Sequence, residues 1–389
     1  MSRERFTVKR RAMLAVTGAT LLLSTGCGPG GSSSSPATVS ITPASGAADS
    51  RPDQPIVVKA AKGTLRDVAV RADGGQVAGA FDKGHVQWTS TGALKPATKY
   101  TVTATAKNAG GKTTTASSAF QTLTPKRTFG IADITPMPGE TVGVGMPLIV
   151  KFSDPVYNKA NVERVLQVTS TRPAEGAWRW YGDQEAVYRT KDYWQPHQTV
   201  TFTARLTGVR GAVDTYGTKD YSRSYTIGTS HISTVDVKGH RMTVTVDGRT
   251  AKTAPISAGK GGARKYTTTN GVHAVMGKQS PVTMTSGWMG VNNKSDPNYY
   301  SLTVYQAVQI SSSGEYVHSA PWSVGSQGQA NVSHGCVNAP PSFAKWFYAL
   351  SNRGDIVKVT GTDRELEPDN GYGYWQLSWD DWRKGSALR

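Results

Sequence analysis

Apolar and polar residues alternate in short runs along much of the chain. Residues 100–104 (YTVTA), 200–204 (VTFTA) and 242–246 (MTVTV) each place an apolar side chain at every second position, the period of a strand with one buried face. Asp247-Gly248 follows the third run and predicts a hairpin turn. Residues 304–310, 315–318 and 356–359 read as further strands. A short helix is predicted over 343–350, with Ser342 as its N-cap after Pro340-Pro341.

Two segments of the first half echo each other. Ile41-Thr42-Pro43 with Gly46 matches Ile134-Thr135-Pro136 with Gly139, and PIVVK at 55–59 matches PLIVK at 147–151. The run at 100–104 matches the run at 200–204. Collinear matches about a hundred residues apart predict a duplicated domain. Their half-buried strands predict two β-sandwiches of immunoglobulin-like type, at 38–123 and 124–230. Trp178, Trp180 and Tyr181 are expected to serve core or interface packing rather than a sugar-binding face. A third, β-rich domain is expected at 231–360. A tail at 361–389 follows, and its Trp375, Trp379 and Trp382 predict that it packs back on that domain.

Composition agrees with this mainly-β reading. Hydrophobic residues are 37% and charged residues 18%, with 42 Gly and 20 Pro, which argues against a helical bundle or coiled coil. The ten Trp and sixteen Tyr argue against global disorder. Net charge is +17, which suits an anionic partner such as a membrane surface or an acidic wall polymer. There is no nucleic-acid motif and no dense Lys/Arg run interleaved with aromatics, so nucleic acid is not an expected partner.

Part of that charge has a separate meaning. Arg3, Arg5, Lys9, Arg10 and Arg11 against Glu4 precede the apolar run 12–23, leaving +13 to the rest. The run is too short to span a bilayer comfortably. With the small residues before Cys27 it reads as a secretory signal at 1–26. The stretch resembles a bacterial lipobox, with Ser24 where that motif usually has Leu. The resemblance implies lipidation at Cys27, a flexible tether at 27–37 (CGPGGSSSSPA), and a chain held on the outer face of the plasma membrane.

If Cys27 is processed, Cys336 is the one thiol left, without a disulfide partner. It lies in YVHSAPWSVGSQGQANVSHGCVN, residues 316–338. A thiol nucleophile needs a base, and His318 and His334 are candidates. Gly335 permits an unusual backbone and close approach of a substrate, and the N–H groups of Gly335 and Cys336 are candidate oxyanion donors. On these residues alone three readings stay open: cysteine acyl transfer, a buried structural Cys with a His pair, and a metal site of His318, His334 and Cys336. The last lacks a nearby fourth ligand. Gly259 to Gly262 lacks the Lys-Ser/Thr of a phosphate loop.

The same stretch carries a longer pattern: His318, then Ser333-His334-Gly335-Cys336, then Asn338. It resembles the signature of the L,D-transpeptidases, the YkuD-type catalytic domain. The whole arrangement resembles the actinobacterial members of that family: lipid anchor, two immunoglobulin-like domains, catalytic domain and Trp-rich tail. The resemblance implies that Cys336 is the nucleophile and His318 its base, oriented by the Ser319 carbonyl. It implies an oxyanion hole at Gly335 and Cys336 helped by the Tyr300 hydroxyl, with Ser333, His334, Asn338 and Trp322 shaping the substrate side. The reaction it implies is two-step acyl transfer from a peptidoglycan tetrapeptide stem to an acceptor stem, with loss of D-alanine and formation of a 3→3 cross-link. No metal or cofactor is implied, and carbapenem β-lactams are the implied inhibitors. The alternatives are an L,D-carboxypeptidase with water as acceptor and a non-catalytic wall-binding scaffold. The stretch 287–297 is either a lid or an ordinary surface loop.

Overall fold

The computed structural model describes residues 35–389 apart from Gly74, Asn298 and Arg389. The expected signal and Cys27 lie outside the described residues. Among those that are described, no helix is long and apolar enough to cross a membrane.

Each half of the sequence repeat builds a pair of four-stranded sheets. In the first, Thr38–Thr42 pairs Val57–Ala61, which pairs Gln87–Ser90 and then Gly79–Phe81; Lys99–Lys107 lies inside the second sheet, between Thr64–Ala72 and Thr113–Gln121. The second unit repeats the plan. Ile131–Thr135 pairs Leu148–Phe152, and Gln198–Ala204 lies between Leu166–Ser170 and Tyr221–Ile227. The echoed segments therefore occupy equivalent places in the two units. Alternation explains their burial: Tyr100, Val102, Ala104 and Ala106 face one core, and Val200, Phe202 and Ala204 face the other.

The third unit holds two five-stranded sheets. One runs Arg249–Pro255, Arg241–Val246, His231–Asp236, Ile356–Thr360, Gly271–Ala274. The other runs Gly277–Gln279, Ser301–Gln309, Tyr316–Ser319, Val337–Ala339, with Val282–Thr285 also on Ser301–Gln309. Val235, Met242, Val244, Val308, Val317, Val337 and Val357 form its core with Phe343, Ala344 and Phe347 of the helix Pro341–Leu350. The helix begins one residue before the expected cap. Pro340 is the N-cap and Pro341 the first helical residue, a position where the missing N–H costs nothing. Ser342 is therefore inside the first turn.

The tail bridges two units. Its first part packs on the third domain as expected, with Glu365 on Asn270, Asn370 on Ser312 and Ser313, and Gln376 on Val272, while its tryptophans reach the second immunoglobulin-like unit. Trp375 Nε1 donates to the Gly145 carbonyl at 2.9 Å, Trp379 Nε1 to Glu175 at 3.1 Å, and Trp382 Nε1 to the Ala177 carbonyl at 2.9 Å. Arg189, 2% exposed, sits 4.9, 5.5 and 4.8 Å from the three indole rings and donates to the Leu377 carbonyl at 2.8 Å. Burial lowers its pKa to about 10, so it stays cationic, and the stacked indoles supply the compensating attraction. Trp178 is core, Trp180 stacks on Phe152, and Tyr181 meets Tyr374 of the tail, which agrees with the packing reading of that cluster.

The second and third units also join directly. Gly143 and Gly145 donate to the Arg353 and Gly354 carbonyls at 2.7 and 2.8 Å. A Cβ on Gly143 would stand 2.3 Å from the Asp355 nitrogen, so only glycine permits this approach. One hydrophobic cluster runs through both units, from Val142 and Tyr225 to Ile356, Tyr374 and Trp382. The third unit is thus fixed to the second and its site has a firm mount.

Candidate active site

The His of the motif lies on one of two adjacent parallel strands and the Cys directly precedes the other. Tyr316–Ser319 pairs Val337–Ala339 with His318 opposite Asn338. Directly paired residues point to one face of a sheet, and the period is two. Cys336, two residues before Asn338, therefore faces the same side as His318 and Tyr316. All three line one cleft of about 470 Å³. Its opposite wall is a hairpin, Val282–Thr285 against Ser301–Gln309, from which Met284, Leu302 and Val304 contribute apolar surface. Ser286 closes the loop between those strands by hydrogen bonds to Tyr300: its N–H donates to the Tyr300 carbonyl at 3.0 Å, and its Oγ accepts the Tyr300 N–H at 3.1 Å.

His318 is 3% exposed. Its Nδ1 lies 2.9 Å from the Ser319 carbonyl. A carbonyl only accepts, so Nδ1 carries the hydrogen and Nε2 keeps the basic lone pair. Burial lowers the His318 pKa, with the Ser319 bond opposing in part, so the ring is neutral at pH 7. Trp322, 52% exposed, stacks on it at 5.9 Å between centroids.

Cys336 is partly exposed. Its thiol makes one long hydrogen bond, 3.7 Å, to the Gly314 carbonyl. Burial of its surroundings pushes the thiol up to about 12, the Tyr316 N–H pulls against that, and the Glu315 carboxylate adds to it. At rest the pair is a thiol and a neutral imidazole, not a thiolate and an imidazolium. The proton must move to Nε2 as the sulfur attacks.

The remaining motif residues hold the loop in shape. Ser333 Oγ donates to the Cys336 carbonyl at 2.5 Å and accepts the Gly335 N–H at 3.1 Å. Thr268 Oγ1 donates to the Gly335 carbonyl at 2.7 Å. The expected pair of oxyanion donors is thereby reduced: the Gly335 N–H is engaged inside the loop, while the Cys336 N–H has no hydrogen-bond partner among the described residues. Gly335 itself is needed for its backbone, with φ +129, a conformation closed to side-chain-bearing residues. Asn338 is buried and donates from Nδ2 to Ser323 at 3.0 Å, fixing the turn that carries Trp322. His334 lies between the rings of Tyr300 and Tyr266, at 4.9 and 5.3 Å. Burial and then Lys260 lower its pKa. Of the two candidate bases, His318 is thus the one on the sulfur's strand pair. Tyr300 lines the cleft with its ring against His334. The sequence reading missed the hairpin wall at 282–304, although its Val282/Met284 and Leu302/Val304 alternation was visible, and it missed Thr268, which nothing local marks.

Known proteins match this arrangement. Residues 47–210 match the bacterial Ig domain family, and residues 230–359 match the L,D-transpeptidase catalytic domain. L,D-transpeptidase 2 of Mycobacterium tuberculosis (strain CDC 1551 / Oshkosh) is 37% identical over 352 residues, covering 90% of this chain and 84% of that protein. L,D-transpeptidase 5 of Mycobacterium tuberculosis (strain ATCC 25618 / H37Rv) is 34% identical over 356 residues, covering 89% and 76%. Among solved structures, an L,D-transpeptidase in complex with imipenem superposes with TM-score 0.51 at 33% identity, covering 59% of this chain and 99% of that one. An L,D-transpeptidase from Mycobacterium smegmatis gives 0.51 at 36%, covering 60% and 99%. The chain belongs to the L,D-transpeptidase family and is a peptidoglycan cross-linking enzyme.

Proposed function

We propose that Cys336 is the acylating nucleophile and His318 the base that serves it. The supporting observation is the shared face of the two strands, with Nδ1 of His318 committed to the Ser319 carbonyl and Nε2 left for the thiol proton. In the first step the Sγ proton passes to Nε2 and Sγ bonds to the carbonyl carbon of the third residue of a donor tetrapeptide. The Cys336 N–H faces the developing oxyanion. The C–N bond then breaks, Nε2 returns its proton to the amine, and D-alanine leaves. In the second step a side-chain amine of an acceptor stem attacks the thioester, its proton goes to Nε2 and then to sulfur, and the 3→3 cross-link is released. No step needs an external energy source, because the thioester conserves the energy of the cleaved amide. Ser333 and Asn338 support the loop, while Tyr300, His334 and Trp322 border the substrate. Carbapenems, which one structural neighbour binds, acylate the same sulfur in this account.

Incubation with a stem tetrapeptide tests the reaction. The expected product is a cross-linked dimer with one equivalent of D-alanine. Tripeptide alone, with no dimer at high acceptor concentration, makes the chain a carboxypeptidase instead. We also propose that Cys27 is lipidated and that the enzyme works on the outer face of the plasma membrane, facing the wall; the basic start, apolar run and Gly/Ser tether support this. Cys27→Ala is expected to move the protein from the membrane fraction to the soluble fraction, and retention in the membrane fraction contradicts the anchor.

A further inference from the structure

Directly behind the Cys336 loop lies a buried network of ionisable and polar side chains that acyl transfer does not itself use. Glu315 is 4% exposed and His273 is fully buried. The Glu315 carboxylate accepts the Thr269 N–H at 2.7 Å and the Thr269 hydroxyl at 2.5 Å. His273 Nε2 is 2.9 Å from the Thr269 carbonyl, and its Nδ1 is 3.1 Å from the Ile310 carbonyl. The Thr269 hydroxyl also lies 3.3 Å from Nε2, so the ring is tied to Thr269 on one side and Ile310 on the other. Glu315 and His273 are thus buried on either side of one threonine and hydrogen-bonded through it, in a setting where an unpartnered polar group is costly.

This pair adjoins two of the contacts that hold the nucleophile. Glu315 stands between Gly314, whose carbonyl accepts the thiol, and Tyr316, whose N–H is directed at the sulfur. Its Cγ is 3.8 Å from where a Cβ on Gly335 would stand. Thr269 follows Thr268, which holds the Gly335 carbonyl. Ile310, bonded to His273, donates its N–H to the Glu315 carbonyl at 2.9 Å.

Resting on the reading of Cys336 as nucleophile, we propose that Glu315 is a positioning residue: its buried carboxylate, tied to Thr269 and His273, fixes the Thr268 anchor of Gly335 before Cys336 and the Gly314–Tyr316 backbone that faces the sulfur, and it places a carboxylate near that sulfur. The other titratable groups around that sulfur are His318 and Tyr316 on its strand pair, and His334 with Lys260 and Tyr266 at the glycine-rich loop. Burial is the larger cause that keeps the proton on sulfur, and Glu315 is the carboxylate that adds to it. The thiol is thereby kept from idle reaction and is deprotonated when His318 and a bound carbonyl act together.

The test uses the full chain, with Cys336 alkylation by iodoacetamide and acylation by imipenem both followed by intact mass. Glu315→Gln keeps an acceptor for Thr269 and removes the charge. It is expected to alkylate roughly threefold faster at about pH 8, because thiolate becomes more abundant, and to keep most of the acylation rate. Glu315→Ala removes the clamp and is expected to acylate at least about tenfold more slowly. His273→Gln loosens the links to Thr269 and Ile310 and lowers the melting temperature, and Glu315→Gln/His273→Gln loses less than the two single losses together. Glu315→Gln alkylating no faster than the parent, Glu315→Ala acylating at the parent rate, or strictly additive melting losses would overturn the proposal. Acylation that persists in Cys336→Ala would remove the nucleophile reading instead, and the alkylation comparison still decides the role of Glu315.

Discussion

Cys336→Ala is expected to abolish acyl transfer completely and to leave the fold in place. The sulfur makes one long contact, to Gly314, and carries none of the bonds that shape its loop. Those belong to Ser333, Thr268 and the backbone link from Lys260 N–H to the Ser333 carbonyl at 2.9 Å. Removing one partly exposed atom leaves no large cavity, so the melting temperature is expected to stay within about 2 °C of the parent. The chemistry has no substitute: the oxyanion donor and the imidazole remain, but the thioester has no atom to form on. Thermal unfolding beside tetrapeptide turnover checks both halves. Loss of turnover together with a collapsed fold would mean that Cys336 acts through structure.

The second large effect falls on His318. His318→Ala is expected to slow acylation by roughly 10²–10⁴-fold, the usual worth of a positioned base. The pH profile makes the prediction specific. The active form needs a neutral imidazole, and burial lowers the His318 pKa from its ordinary value of 6.5. Parent activity is therefore retained on going below pH 6.5 and lost only as pH falls through the lowered value. His318→Ala should lack this acid limb. Because the thiol sits near 12, the residual rate of the variant should climb with pH, as hydroxide takes over the proton transfer. A parent profile that already falls above pH 6.5 would mean that the base is solvated, and that the geometry at Ser319 does not describe the working state.

Much of this site was legible because its logic is local. His318, Ser333, Gly335, Cys336 and Asn338 stand within 21 consecutive residues, and two parallel strands bring the two ends of that segment together. The strands at 100–104 and 200–204 were legible for a similar reason, since each buries every second side chain, and the strand at 242–246 buries Met242 and Val244. What escaped depends on distant partners. Glu315 looks like a solvated residue at the start of a strand, and its burial is explained by Thr269, 46 residues away. The tail has the aromatic content of a packed segment, but its further reach to the second unit centres on Arg189, about 190 residues earlier. The two-donor oxyanion hole failed for a finer reason: the Ser333 hydroxyl that shapes the turn takes the Gly335 N–H for itself.

The most direct measurement is the intact mass of the full chain after mixing with a carbapenem, beside Cys336→Ala. The account predicts one adduct per chain, mapped to Cys336 and absent from the variant. An unmodified parent, or an adduct that survives the substitution, would contradict it.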